Sequence, residues 1–322
     1  MSPRWNWDFE DEPRGARMRA PSLPPPPRLD TPQLARRTRL RRRRGVAAVA
    51  VALLVALIVV ALSGSHHSAA MSSSSARARA LRAQALTPSA RDTQAHESHA
   101  VASVLAYTPF VRQGTARVRD IALTFDDGPG PYTPGVLSVL EQAHVRATFF
   151  AIGKMERYFS ESTVREIRDG DVVGDHTETH PFLARLSPHE QREQLFEQIA
   201  RIELLGGPRP DLFRPPYGSF NATTLRELQS LHLLMVLWSV DTGDYLQPGV
   251  PAIVQRVLAG ATPGAIMLMH DGGGDRTQTI AALPVIIREL RARGFHLVTV
   301  PQLLIDDPPP QGQTLPPNLS GD

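Results

Sequence analysis

Between residues 115 and 305, short apolar runs alternate with amphipathic stretches. Ile121–Phe125, Ala147–Ile152, Val172–Gly174, Leu233–Val240, Ala265–Met269 and Leu297–Val300 have the length and content of buried strands. Helical stretches fall between them. Pro134–His144 follows Thr133 and Pro188–Leu205 follows Ser187, each a hydroxyl N-cap before a proline at the first helical position. The second of these places Leu195, Ile199, Ile202 and Leu205 at helical spacing. Asn221–Leu231, Val250–Ala259 and Thr277–Arg293 complete the set. This alternation predicts an α/β domain over 115–305 with a parallel sheet, open or closed into a barrel. In such folds chemistry collects at the C-terminal ends of strands.

A different pattern precedes the domain. Residues 46–62, VAAVAVALLVALIVVAL, are apolar without interruption. As a helix they would span about 25 Å, the short end for a bilayer core of roughly 30 Å. Arg36, Arg37, Arg39 and Arg41–Arg44 stand just before the run. The positive-inside rule then predicts a single-pass membrane anchor over 45–63, with the N-terminus cytoplasmic and the domain outside. The alternatives are a buried core helix, or a secreted chain released by cleavage near Ser68-Ala69-Ala70. Residues 1–44, rich in Arg and Pro, read as a disordered arm. Residues 64–114 read as a spacer with some helix around Ala76–Leu86, and 306–322 as a disordered Pro-rich tail.

Charge sharpens this division. Residues 1–44 carry 12 Arg against 5 acids, a balance of +7, whereas 115–305 carry 18 basic and 22 acidic side chains, a balance of −4. The overall +3 therefore belongs to the arm, and the domain lacks the basic surface that a nucleic-acid partner requires. There is no cysteine, which excludes disulfides, thiolate metal sites and a cysteine nucleophile. No G-x-S-x-G elbow and no phosphate-binding G-x-x-x-x-G-K-[ST] loop occurs.

Polar clusters follow the apolar runs. Asp126-Asp127-Gly128-Pro129 closes the first, either as a turn-forming pair or as two carboxylates with separate tasks, one on a metal and one free as a base. His176-Thr177-Glu178-Thr179-His180-Pro181 places two imidazoles four residues apart. Thr177 stands where a metalloprotease helix has its Glu, and Pro181 disfavours helical geometry at His180, so the pair belongs on a loop. Two His and one Asp make a three-ligand open site of the kind that holds catalytic zinc. Arg214-Pro215-Pro216-Tyr217-Gly218 is a stiff turn whose Arg can grip a carboxylate. Asp241-Thr242-Gly243-Asp244-Tyr245 and Leu268-Met269-His270-Asp271 end two further runs, the latter with a His suited to general-acid work. Singly, each also reads as a solvated loop or a satisfied core histidine.

Taken in order, TFDDG at 124–128, HTETH at 176–180, RPPYG at 214–218, DTGDY at 241–245 and LMHD at 268–271 resemble the five motifs of the polysaccharide deacetylases, carbohydrate esterase family 4 or the NodB-homology group. The resemblance spans residues 119–300. It implies a distorted (β/α) barrel of about seven strands and one divalent metal ion, zinc first, with cobalt or nickel as alternatives. It further implies that Asp126 is the base, that Asp127, His176 and His180 hold the metal, and that Arg214 orients the base. By the same resemblance Tyr217 supplies an oxyanion N–H, Asp244 tunes His270, His270 is the acid, and Leu268 walls the acetyl pocket. Tyr245 departs from the Trp usual there, which bears on substrate preference. The implied activity is removal of N-acetyl groups from an extracellular glycan, peptidoglycan or a chitin-like polymer, with a xylan-type O-acetyl esterase and an inactive glycan-binding module as the alternatives. Nothing in the sequence fixes oligomeric state.

Overall fold

The computed structural model describes residues 88–316, all within one compact unit. The arm 1–44, the apolar run 46–62, the first part of the spacer and the end of the tail lie outside the described residues. Among the described residues no helix is long and apolar enough to cross a membrane.

The chain runs α1 (Pro88–Leu105), β1 (Phe110–Val111), β2 (Asp120–Asp126), α2 (Thr133–Ala143), β3 (Thr148–Ala151), α3 (Gly153–Glu156), α4 (Ser160–Asp169) and β4 (Val172–Asp175). It continues through α5 (Pro188–Leu204), β5 (Leu212–Phe213), α6 (Ala222–Leu231), β6 (Leu234–Val236), β7 (Val240–Asp241), α7 (Val250–Gly260), β8 (Ala265–His270), α8 (Thr277–Ala292), β9 (His296–Val298) and α9 (Val300–Asp306). Eight strands form the path β1-β6-β5-β4-β3-β2-β8-β7, and β9 pairs with the start of β2. All strand pairings are parallel, and one antiparallel bridge, Gln113 to Ala265, joins β8 to the residues after β1. The result is a curled sheet with β1 and β7 at its ends. Among the described residues it has nine short strands rather than about seven, because several pair over only two or three residues.

Period-two alternation divides each strand between two environments. On β2, Ile121, Leu123 and Phe125 join Met267 and Met269 of β8 in a core shared with α2, α7 and α8. The alternate residues face inward, where Ala122, Phe150, Leu234, Val236 and Ile266 pack with α1 and α9. Thr124, Asp126, Leu268 and His270 continue that inner face toward the strand ends, so the polar residues of β2 and β8 line one cleft.

Two boundaries move. The sequence predicts a spacer to residue 114, yet α1 and β1 lie within it, and Val101, Val104, Phe110 and Val111 are buried. Val101, Val104 and Val111 fill the inner core, and Phe110 packs with Leu195, Leu228 and Met235 in the cluster under α5 and α6. The tail likewise begins inside the fold: Asp307 is buried, accepts from the Thr115 hydroxyl and from the Arg117 N–H, and so ties the C-terminal segment to the entry loop. The single run Leu233–Val240 is two strands, since β6 pairs with β1 and β5 whereas β7 pairs with β8. Residues 299–300 leave the last strand because Thr299 caps α9, with Pro301 in its first turn.

Ser187 forms the predicted cap of α5 as a full capping box with Glu190. Thr133 does not cap α2; Tyr132 holds that position without a side-chain bond, and the Thr133 hydroxyl is engaged elsewhere.

Candidate active site

The end of β2 delivers Asp126 in extended backbone and then turns at Asp127, whose φ of 69° is left-handed. That turn lets adjacent carboxylates serve different neighbours. Asp127 Oδ1 lies 3.5 Å from His176 Nε2 and 3.1 Å from His180 Nε2. Asp126 instead meets Arg214, whose guanidinium donates to Asp126 Oδ1 at 2.7 Å and to the Thr124 hydroxyl at 2.7 Å. Arg214 is fully buried, donates also to the Val236 carbonyl at 3.1 Å, and stacks on Phe150 at 4.1 Å. A guanidinium anchored on four sides leaves the carboxylate one position.

The two imidazoles are carried by the loop after β4. Thr177 and His180 adopt φ of 70° and 61°, so the segment is the non-helical loop that Pro181 predicts. His176 Nδ1 lies 2.7 Å from the Arg214 carbonyl. Donation there places a proton on Nδ1 and turns Nε2 toward Asp127. Burial pulls the His180 imidazole down despite Asp127, which favours the neutral ligand form. Burial acts against the Asp127 carboxylate, but His180 and His176 together hold it well below the usual carboxylate range.

These three side chains can place one ligand atom each within 4.8 Å of one another, the one such group among the described residues. A donor set of one carboxylate oxygen and two imidazole nitrogens fits zinc or a related divalent ion with an open position.

Across the cleft, β8 ends at His270, which is in register with Asp126. Asp244 grips it twice: His270 Nδ1 lies 2.8 Å from Asp244 Oδ1, and the His270 N–H donates to Asp244 Oδ2 at 2.9 Å. The Thr279 hydroxyl donates to Asp244 Oδ2 at 2.7 Å. Burial acts to lower the His270 pKa, but Asp244, by charge and hydrogen bond, and then Asp127 and Asp126, raise it to about 9. Burial pushes Asp244 up, and His270 more than reverses this, leaving it lowered.

The remaining sequence-predicted residues line the rim. Tyr217 has a φ of 58°, is half exposed, and packs its ring edge-on to His180 with centroids 4.5 Å apart. Phe182 stacks on it at 4.0 Å. Tyr245 lies edge-on to His270 at 5.2 Å and is also half exposed. Leu268 is buried on the inner face, two residues before His270. All ten predicted residues therefore surround one cleft. Sequence reading missed Thr124, Thr279 and Phe182. Thr124 was legible, two residues before Asp126 and so on its face of β2. Thr279 and Phe182 carry no local signal and are brought in by α8 and the His180 loop.

Comparison with known proteins agrees with this arrangement. Residues 113–236 match the polysaccharide deacetylase family. A peptidoglycan-N-acetylglucosamine deacetylase of Bacillus cereus is 36% identical over 186 residues, covering 57% of this chain and 68% of the relative. A chitooligosaccharide deacetylase of Bradyrhizobium is 40% identical over 198 residues, covering 58% of this chain and 90% of the relative. Among solved structures, a peptidoglycan N-acetylglucosamine deacetylase crystallised with a hydroxamate-type benzamide superposes with a TM-score of 0.60 at 35% identity, over 62% of this chain and 94% of that one. The five motifs, the curled parallel sheet and these relatives place the chain in the polysaccharide deacetylase family, enzymes of carbohydrate esterase family 4 that act on N-acetyl amide bonds.

Proposed function

We propose that this chain is a metal-dependent deacetylase that removes N-acetyl groups from an N-acetylglucosamine polymer outside the cytoplasmic membrane, with peptidoglycan as the first substrate and chitin-like oligomers as the second. One observation carries the reading. Asp126 and Asp127 are adjacent, yet Asp127 is the carboxylate nearest both imidazoles, while Asp126 is bonded to Arg214 and lies farther off, 3.8 Å from His176 Nε2. That separation provides a ligand set and an unligated base in one cleft.

Asp127, His176 and His180 would hold the metal, which when bound polarises the amide carbonyl and acidifies water. Asp126 accepts the proton of the attacking water, and Arg214 fixes the direction of that carboxylate. Tyr217, held at positive φ against His180, donates its backbone N–H to the developing oxyanion, an interaction of the kind often worth ~3–4 kcal/mol. His270, charged through Asp244, gives its proton to the departing nitrogen as the C–N bond breaks. Leu268 and Tyr245 border the acetyl group and the sugar. The products are acetate and a free amine.

The substrate follows from two supports. The relatives include deacetylases of peptidoglycan and of chitooligosaccharides. An anchor at 46–62 with the arginines inside would present the domain to the cell wall. The test is acetate release by the full-length chain from peptidoglycan fragments, N-acetylglucosamine oligomers and acetylated xylan, with and without chelator. Chelator-sensitive release from the first two is expected. Release from xylan alone, or release indifferent to chelation, overturns the proposal.

A further inference from the structure

Asp271 follows the acid His270 and has no part in the chemistry above. Its side chain is 0% exposed, turned beneath the loop that carries the base and the carboxylate ligand. Oδ2 accepts from the Thr133 hydroxyl, which in turn accepts from the Gly130 N–H at 2.7 Å. This engagement diverts Thr133 from capping its own helix. The backbone repeats the tie, since the Asp271 N–H donates to the Asp126 carbonyl at 3.1 Å.

Contact is close enough that only glycine fits above the carboxylate. A Cβ at Gly128 would overlap both Asp271 oxygens. The next loop presses from the side. Gly273 has a φ of 70°, and a Cβ there would fall 2.5 Å from Asp127 Oδ2. Buried Arg276 holds that loop by donating to the Gly272 carbonyl at 2.7 Å and the Gly273 carbonyl at 2.9 Å.

Asp271 is costly in this place. Its Oδ1 has no hydrogen-bond partner among the described residues. A buried carboxylate with one oxygen unsatisfied is a poor choice for stability alone. Its position explains it better: it is the side chain in contact with both the metal-binding turn and the strand end that carries the acid.

We propose that Asp271 is a positioning residue, wedged under Gly128 and tied to Thr133, that sets the metal-binding turn against His270. The proposal rests on the reading of the site given above, but its test does not require that the reading be right. The full-length chain is stripped of metal, and zinc affinity is measured by competition with a chromophoric chelator, beside steady-state deacetylation and thermal melting. Asp271→Ala is expected to weaken zinc binding about 10- to 100-fold, the usual effect of removing a group that supports a ligand. Its kcat falls while KM stays near wild type. Asp271→Asn, which retains an oxygen acceptor for Thr133, recovers most of the affinity. Thr133→Val, which keeps the buried volume, weakens zinc about fivefold and tests the clamp even where Asp271→Ala does not fold. Wild-type zinc affinity in Thr133→Val, or an Asn variant as impaired as the Ala variant, overturns the clamp. Zinc binding without acetate release by the wild-type chain would instead sink the deacetylase reading and leave the affinities to decide this one.

Discussion

Replacing Asp244 by Asn removes the charge that keeps His270 protonated, and the cost can be worked from the contact. The two side chains meet at 2.8 Å in a site where Asp244 is 1% exposed. The rise of His270 from 6.5 to about 9 corresponds to roughly 3 kcal/mol in favour of the imidazolium. Burial acts in the opposite sense, so without Asp244 the pKa falls toward the ordinary imidazole value. At pH 8 an imidazole of pKa 9 is about nine-tenths protonated, and one of pKa 6.5 about 3%. Turnover at pH 8 should therefore fall by up to about 30-fold in Asp244→Asn. A divalent ion on Asp127 would cancel that residue's contribution, so the alkaline limb of the wild-type enzyme lies below 9 but above 6.5. The assay is a pH profile of kcat for both proteins. The deficit should shrink as pH falls toward 6, where His270 is protonated in either protein, which a collapsed site would not show. An unchanged alkaline limb in the variant would refute the reasoning. The same pair predicts stability. The raised His270 contributes stability below pH 6.5 that is lost as pH rises through about 9. The lowered Asp244 contributes above about 3.8 and loses it on acidification. This is one interaction seen from two sides, strongest between those limits.

Three further outcomes are expected. Asp126→Asn should bind zinc normally yet lose most turnover, whereas Asp127→Ala should lose the metal itself; elemental analysis of the two purified variants checks the division. Arg214→Met leaves a buried Asp126 carboxylate without its cation at 2.7 Å, a loss of about 3–5 kcal/mol, visible as a melting temperature lowered by roughly 10 °C. A chain beginning at residue 115 lacks Val101, Val104 and Val111 of the inner core and Phe110 of the cluster under α5 and α6, which at about 1.5–3 kcal/mol each rivals the whole stability of a domain; it should fail to melt cooperatively, whereas a chain beginning before residue 88 should melt as one unit.

What was legible locally was local in cause. Apolar runs marked β2, β3, β4 and β8 because strands buried on both faces must be apolar throughout, and Ser187-Pro188 marked a helix start because its cap forms within four residues. The five motifs named the site because ligands, base and acid each follow a strand whose end must be polar. Other features were settled only by assembly. Phe110–Val111 and Leu212–Phe213 are too short to show a period, and become strands only because neighbours supply their hydrogen bonds. Residues 88–105 have little amphipathic pattern, and Val101 and Val104 are buried because the curled sheet leaves a core that needs covering. Asp126 and Asp127 look alike in sequence; a left-handed turn at Asp127 and a guanidinium arriving from 88 residues away give them different partners. Thr133 has the local signature of a cap, yet its hydroxyl bonds the Asp271 carboxylate, 138 residues on. Local chemistry thus fixed which groups were available, and long-range packing decided which of them meet, since charge and hydrogen bonding act only at contact distances that the tertiary fold sets.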